Sequence, residues 1–438
     1  MARCILTSRI ALVLASGLAL GVPAAHAEPD ANAEPVLEPA QGVEPIAAVD
    51  GPVVQLALLL DTSNSMDGLI AQAKSALWAV VIELGELEHD GERPQLQVAL
   101  YEYGNDSVSE GDGYVRMRTP FTTDLDLVSE QLFGLRTNGG REFCGVVIDE
   151  AVHGLRWWRS SDEANDKTPG NAEPSDLAEA AGAALGAALG GGEREIRFAK
   201  SVDGPVCRIV VIAGNEPFTQ GTLHYSEAIA DAVSLGVTVN TVFCGPRREG
   251  ANTGWEDGAR RGGGLYTSID QDGAVAEPPT PFDDRLSALN ASLNATYLGF
   301  GERHTLARAR QAELDVQSVV QANQGGGSPF ARVEAKATAN YVNSHWDLVD
   351  AVKVDDLDLA TLDDEQLPED FRGLSLEDQL AKVNATWDER QRVQAEIREV
   401  AEQRRVFIAE HHVAAEAPPT LAEVLTGAVV EQARRAGF

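Results

Sequence analysis

Between residues 53 and 269 the chain repeats one alternation: short, almost wholly apolar runs of strand length, separated by longer segments with apolar residues at helical spacing. The runs are 53–60 (VVQLALLL), 96–103 (LQVALYEY), 208–213 (RIVVIA) and 237–244 (VTVNTVFC), with a shorter one at 264–269 (GLYTSI). A strand that is apolar at nearly every position must be covered on both faces. Residues 66–87 place Leu69, Ala73, Leu77, Val80 and Val81 on one side of a predicted helix. Further helices are predicted near 124–135, 142–158, 223–234 and 281–297, and residues 114–119 read as an edge strand. Strands alternating with helices predict an α/β fold: a doubly wound, mostly parallel sheet.

Beyond residue 300 the strand signal stops, so an all-helical C-terminal region over 301–438 is appended to a sheet domain over 51–300. Residues 304–324 are helical in pattern, and Ser328-Pro329 predicts a cap and first turn opening a helix to about Val352. Ser375 and Asp378 resemble a capping box for a long helix. Its stripe of Leu380, Val383, Trp387, Val393, Ile397, Val400 and Phe407 either packs within the chain or forms an intermolecular coiled coil and self-associates. Residues 28–50 repeat Glu-Pro and predict an extended linker, and 159–204 predict a low-complexity surface insert.

Arg3 and Arg9, an apolar run at 10–22 and Ala25-His26-Ala27 read as a secretory signal peptide over 1–27. The run is too short to span a bilayer, which takes ~20 apolar residues, and no later stretch is longer. The expectation is therefore an exported protein, periplasmic or extracellular, with no transmembrane segment. Thirty-five Lys+Arg against 68 Asp+Glu give a formal charge of −33, and losing Arg3 and Arg9 takes it to −35. Such a field repels phosphate backbones, so nucleic acid is excluded as a partner, whereas cations and basic surfaces stay open.

The first apolar run ends in Asp61-Thr62-Ser63-Asn64-Ser65, followed by Met66-Asp67-Gly68 and a helix. One carboxylate and two hydroxyls at alternating loop positions, at the carboxyl end of a central parallel strand, suit a small hard cation such as Mg²⁺. This Asp-x-Ser-x-Ser placement resembles the metal-ion-dependent adhesion site of von Willebrand factor type A (VWA) domains, over about residues 51–300, and secreted bacterial members that run Met-Asp-Gly-Leu-Ile into the first helix. The resemblance implies a site for Mg²⁺ (or Mn²⁺ or Ca²⁺) held by Asp61, Ser63 and Ser65, whose open position captures a carboxylate of a protein partner.

Two departures bear on that implied site. The family places a threonine after Gly-Gly at the next ligand loop, and here Asn138-Gly139-Gly140 leads into Arg141, with Glu142 or Thr137 as substitutes. The family's later Asp-Gly is replaced by Asn215-Glu216, so Asn215 or Glu216 takes that place. The implied fold puts Cys144 and Cys244 near one rim and Cys207 near the other, so a Cys144–Cys244 disulfide is expected.

Other candidates are weaker. His411-His412 lack a His-Glu-x-x-His pattern, the glycine runs at 190–192, 262–264 and 325–327 lack a phosphate-loop lysine, and no G-x-S-x-G elbow appears. Asp106, Glu110 and Asp112 form an acidic loop after the second run, and one of Trp157 and Trp158 is expected to pack on the sheet. The expected function is a non-enzymatic, exported binding module. Its alternatives are a metal-free envelope scaffold and a secreted hydrolase.

Overall fold

In a computed structural model of the chain, the run at 53–60 becomes the central strand of a six-stranded sheet. Residues 51–165, 200–270, 277–323, 327–355, 357–411 and 419–438 are described, together with Ile46, Phe198 and Gly273. The predicted signal peptide, nearly all of the linker, most of the 159–204 insert and His412 lie outside the described residues.

In chain order the sheet portion contains β1 (Val53–Asp61), α1 (Asp67–Leu84), β2 (Gln95–Tyr103), β3 (Val115–Thr122), α2 (Leu125–Gly134) and α3 (Cys144–Gly154). Then come β4 (Trp158–Ser160), α4 (Ser161–Asn165), β5 (Lys200–Val202), β6 (Val206–Gly214), α5 (Tyr225–Ser234), β7 (Val237–Cys244), α6 (Arg247–Asn252), α7 (Trp255–Arg261) and β8 (Gly263–Ile269). The strand order is β3-β2-β1-β6-β7-β8, parallel except for the edge strand β3. From β1 the winding runs outward one way through β2, and from β6 the other way through β7 and β8. The reversal falls between β1 and β6, where an open α/β sheet leaves a crevice at its carboxyl edge. β4 and β5, flanking the predicted insert, pair in parallel as a separate two-stranded sheet.

All nine residues of β1 are buried, as its unbroken apolar run requires. Val54, Leu56, Leu58 and Leu60 enter one core with α1 and α2, whereas Ala57 and Leu59 enter the other with α3, α5 and α7. Trp157 and Trp158 are both buried. The two-sided alternation corrects the expected disulfide. Cys144 belongs to the second core and Cys244 to the first, so the sheet lies between them and both are free, buried thiols.

The C-terminal region contains α8 (Asp283–Asn294), α9 (His304–Asn323), α10 (Ala331–Ala335), α11 (Leu348–Lys353), α12 (Leu376–His411) and α13 (Leu421–Arg435). The helix predicted from Ser328 to Val352 is broken into α10 and α11. Between them Asn343 and Asp347 hydrogen-bond to neighbouring backbone and side chains: Asp347 caps α11, and the Asn343 amide donates to Asp350 at 2.9 Å. Asn and Asp compete with helix in this way. α12 is 36 residues long, ~54 Å, and opens on Ser375, whose Oγ accepts the Asp378 amide. Most of its stripe packs within the chain, although Leu380 is exposed: Val393, Ile397, Val400 and Ala401 share the first core with β1, and α13 closes the same core through Leu421, Leu425 and Val429. Polar contacts fix α13 on the sheet and on α1. Gln432 and Asn240 of β7 exchange hydrogen bonds at 2.5 and 3.1 Å, and the Leu421 amide donates to Gln72 of α1 at 2.8 Å.

Ion pairs of buried arginines tie the helices to one another and, through Arg332, to α2 of the sheet portion. Arg332 is 1% exposed and donates two bonds to Asp126 of α2 (2.6 and 3.1 Å) and one to Asp315 (2.8 Å), with its guanidinium over the Trp78 ring. On α12, Arg390 binds Asp347 and Asp350, and Arg404 binds Glu277 and Asp283. Removing one member of such a pair leaves an uncompensated buried charge. Arg332→Met is therefore expected to lower unfolding stability by about 3–5 kcal/mol in a denaturant titration, while Arg392→Met, on the exposed face of α12, leaves it near the wild-type value.

Candidate metal centre

Three loops at the carboxyl edge of β1, β2 and β6 meet around one hollow. The first follows β1. Asp61 is fully buried, and its Oδ1 accepts the Ser63 amide at 2.8 Å, which turns the chain so that Ser63 faces back toward the carboxylate. Ser65 closes the turn with φ +80°, a left-handed conformation costly for a residue with a Cβ and characteristic of ligand sites. The turned Ser65 Oγ lies 3.5 Å from the Asn215 Nδ2, so the loop after β6 reaches the same place.

The second loop follows α2 and carries Arg141 at the position where the resemblance implied a threonine. Arg141 points outward, with its side chain 65% exposed and paired with Glu110. Glu142 is 6% exposed and turned inward, within hydrogen-bond reach of the Ser63 hydroxyl. The chain thus places Glu142, the residue after the arginine, against Asp61 and Ser63. Thr137 is spent elsewhere, donating to Asp67 at 2.6 Å. Asn105 ties the loops together: its Nδ2 donates to the Arg136 carbonyl at 2.9 Å, and the Asn138 amide donates to the Thr62 carbonyl at 3.0 Å.

Glycines keep the hollow open. A Cβ on Gly104, which has φ +76°, would stand 3.0 Å from both Asp61 Oδ1 and Glu142 Cγ. Gly140 (φ +140°) lies against the Gly104 carbonyl, where a Cβ would approach within 2.0 Å. A Cβ on Gly214 would come within 3.0 Å of Asp61 Oδ2. Among the described residues, two buried oxygens at this site, Asp61 Oδ2 and Asn215 Oδ1, have no hydrogen-bond partner of good geometry, although the Asn215 backbone amide stands close enough to favour the Asp61 anion. Buried acceptors of this kind are rare in a folded chain because each costs the desolvation of an oxygen. Asp61, Ser63, Ser65, Glu142 and Asn215 form an all-oxygen donor set fitting a hard divalent cation. Glu216 is exposed and accepts from Gln220 at 3.1 Å, so it contributes charge to Glu142 from the rim.

Burial pushes the Asp61 carboxyl up to about 7, against the Ser63 amide and hydroxyl, which favour its anion, and the Glu142 charge adds to the rise. Glu142 is also raised, first by burial, with the Glu216 charge adding to it. Cys144 and Cys244 titrate well above their usual range because of burial.

Outside the hollow, Asp149, His153 and Asp231 bring their ligand-type atoms within 4.8 Å of one another. There the Asp149 hydrogen bond raises the His153 pKa, favouring an imidazolium held between carboxylates of α3 and α5. Sequence alone gave no signal for that pairing of helices, nor for Gly104, Asn105 and Gly214 as the frame of the hollow.

The Asp61 shift sets a pH dependence. Its folded pKa lies above the ordinary carboxylate range, so the folded chain holds the proton more tightly and loses stability as pH rises toward about 7. With a chelator present, Asp61→Asn, which mimics the neutral acid, is expected to match wild type near pH 4 and to exceed it at pH 8 by roughly 2–4 kcal/mol. Denaturant titrations at the two pH values check this.

No protein-family model matches the sequence, and no curated protein matches it. Solved structures overlap part of the chain. The conserved hypothetical protein BatB from Bacteroides thetaiotaomicron is 16% identical over 50% of this chain and 90% of its own, with a TM-score of 0.28. The SpRpn10 VWA domain is 12% identical over 52% of this chain and 90% of its own, at 0.29. Proximal thread matrix protein 1 from the mussel byssus, in a structure with a zinc-occupied MIDAS motif, is 11% identical over 58% of this chain and 62% of its own, at 0.28. The fold assignment here rests on the strand order and connections of this chain, and what the chain shares with these structures is a partial similarity.

Proposed function

We propose that this chain is an exported, non-enzymatic binding module that holds a divalent cation, Mg²⁺ or else Mn²⁺ or Ca²⁺, and uses it to engage a carboxylate of a protein partner. One observation carries the proposal: Asp61, Ser63 and Glu142 of two loops converge beside Gly104, a third loop joins them through Asn215 against Ser65, and Asp61 Oδ2 and Asn215 Oδ1 are buried there without a hydrogen-bond partner of good geometry among the described residues. Asp61 and Glu142 would supply charged ligands, Ser63 and Ser65 hydroxyl oxygens, and Asn215 an amide oxygen. The cation would supply Lewis acidity and a coordination position open to an outside oxygen. The chain's own residues would orient it, and the fully buried Tyr103 beside Asp61, with the packed strands, would keep the back of the site dry.

Glu142 alters the electrostatics the sequence implied. With Asp61 and Glu142 both ionised, their two charges balance a divalent cation, so the centre binds the ion firmly but draws an outside acid only weakly by net charge. The acid needs further positive charge nearby.

The described residues include no helix long and apolar enough to cross a membrane. Export is proposed from the amino-terminal pattern of Arg3, Arg9, the apolar run and Ala25-His26-Ala27. Melting curves in Mg²⁺, Mn²⁺, Ca²⁺ and chelator test the proposal. Saturating cation at 100 times its Kd is expected to add about 2.7 kcal/mol to wild type, a rise of several degrees, and nothing to Asp61→Ala. Identical wild-type curves in cation and chelator would leave a metal-free scaffold.

A further inference from the structure

The helix α9 is apolar on two faces. Its inward face, with Ala307, Gln311, Leu314 and Ala322 buried, lies against α1, α2 and α10. Its outward face carries Leu306, Ala309, Ala312, Val316, Val319 and Val320, all exposed, with Leu306 at 76% and Val316 at 65%. A surface helix turns polar residues outward, and contiguous exposed apolar side chains mark a contact surface. Val316, Val319 and Val320 also line a cavity of about 350 Å³ together with Phe330 and Val333, so the apolar surface continues beyond the helix.

The spacing points to the cover. Ala309, Ala312, Val316 and Val319 follow one another at intervals of three, four and three residues, the a and d positions of a coiled coil. In that register Arg308 is a g residue and Glu313 is the e residue of the following heptad, the two positions that meet across the seam of a parallel two-stranded coil. Both are exposed. Arg308 has no ion pair among the described residues, and Glu313 accepts from Gln317, one turn on, at 2.9 Å. Two-fold symmetry would form the Arg–Glu pair twice, whereas an antiparallel seam centred on Ala312 would set the two Glu313 carboxylates side by side. The helix also balances Arg308 and Arg310 against Glu313 and Asp315, in a chain whose acids outnumber its bases 68 to 35. Two copies can therefore meet at α9 without adding like charge at the contact, and more distant charges are screened beyond about 8 Å at physiological salt.

We propose that the outward face of α9 is a homodimer interface, on which a second copy of this chain lays its own α9 in parallel. Val316 and Val319 would fill the seam, with Arg308 of each copy against the partner's Glu313. Because α9 is already held by its inward face, the pairing costs no helix formation. Whereas α12 spends most of its stripe inside the chain, α9 leaves its own open. The interface does not depend on the metal centre.

Sedimentation velocity of the full chain, from about 1 μM to about 1 mM, tests it. The wild-type mass is expected to rise with concentration toward twice that of the monomer. Val316→Asp is expected to stay monomeric, and Leu380→Asp, at an exposed apolar residue of α12, to dimerise as wild type does. Arg308→Glu and Glu313→Arg each turn two attractions into two repulsions, so each is expected to weaken dimerisation by roughly tenfold. The double variant Arg308→Glu/Glu313→Arg restores the pair with its charges exchanged and is expected to return to the wild-type affinity. A monomer at every concentration, a dimer that survives Val316→Asp, equal losses in Val316→Asp and Leu380→Asp, or a double variant no tighter than the single ones would each overturn the interface.

Discussion

The chain's organisation depends on a carboxylate held where water cannot solvate it. Asp61 ends a strand buried on both faces, flanked by β2 and β6, and its side chain is sealed by Gly104 and Gly214. A lone carboxylate in that position would be neutralised by a proton or removed by selection for stability. Here the surrounding loops bring it a second carboxylate, two hydroxyls and an amide oxygen, an arrangement that raises the cost of the site without a cation and lowers it with one. The left-handed Ser65 and the glycines at 104 and 140 are strained or special backbone kept for the same end.

The sheet alone does not provide the stiffness such a site needs. α12 and α13 complete the core on the β1 side, and buried arginines at 332, 390 and 404 cross-link helices that an apolar stripe alone would leave free to slide. Buried pairs of this kind contribute little net stability compared with apolar packing, yet they penalise any wrong register heavily. The C-terminal helices therefore form part of the scaffold that fixes the loops around Asp61, through α2, whose end leads into Thr137 and Glu142.

How much of this is readable in sequence depends on distance along the chain. The fully apolar run at 53–60 declares a central parallel strand, and Asp61, Ser63 and Ser65 follow it within one loop, so the fold and the first ligand loop are legible together. Glu142 is legible as a candidate but not as the inward residue, because which of two adjacent side chains turns in depends on Gly140 packing against Gly104. The Arg332–Asp126 pair spans 206 positions and follows no local period. The expected disulfide fails for a related reason: proximity to a rim says nothing about which face of the sheet a cysteine occupies. The helix predicted over 328–352 was broken by polar side chains bonding their own backbone, a competition that hydrophobic periodicity does not register.

Arg141 does not fill the hollow. Its exposure and the Glu110 partner hold the guanidinium at the rim, so the oxygens around Asp61 gain no internal ion pair from it. The most direct test is anomalous scattering from crystals grown in Mn²⁺. A single strong peak enclosed by Asp61, Ser63, Ser65, Glu142 and Asn215 is the predicted result, and an empty hollow with Mn²⁺ bound only beside Asp149, His153 and Asp231 would contradict the account.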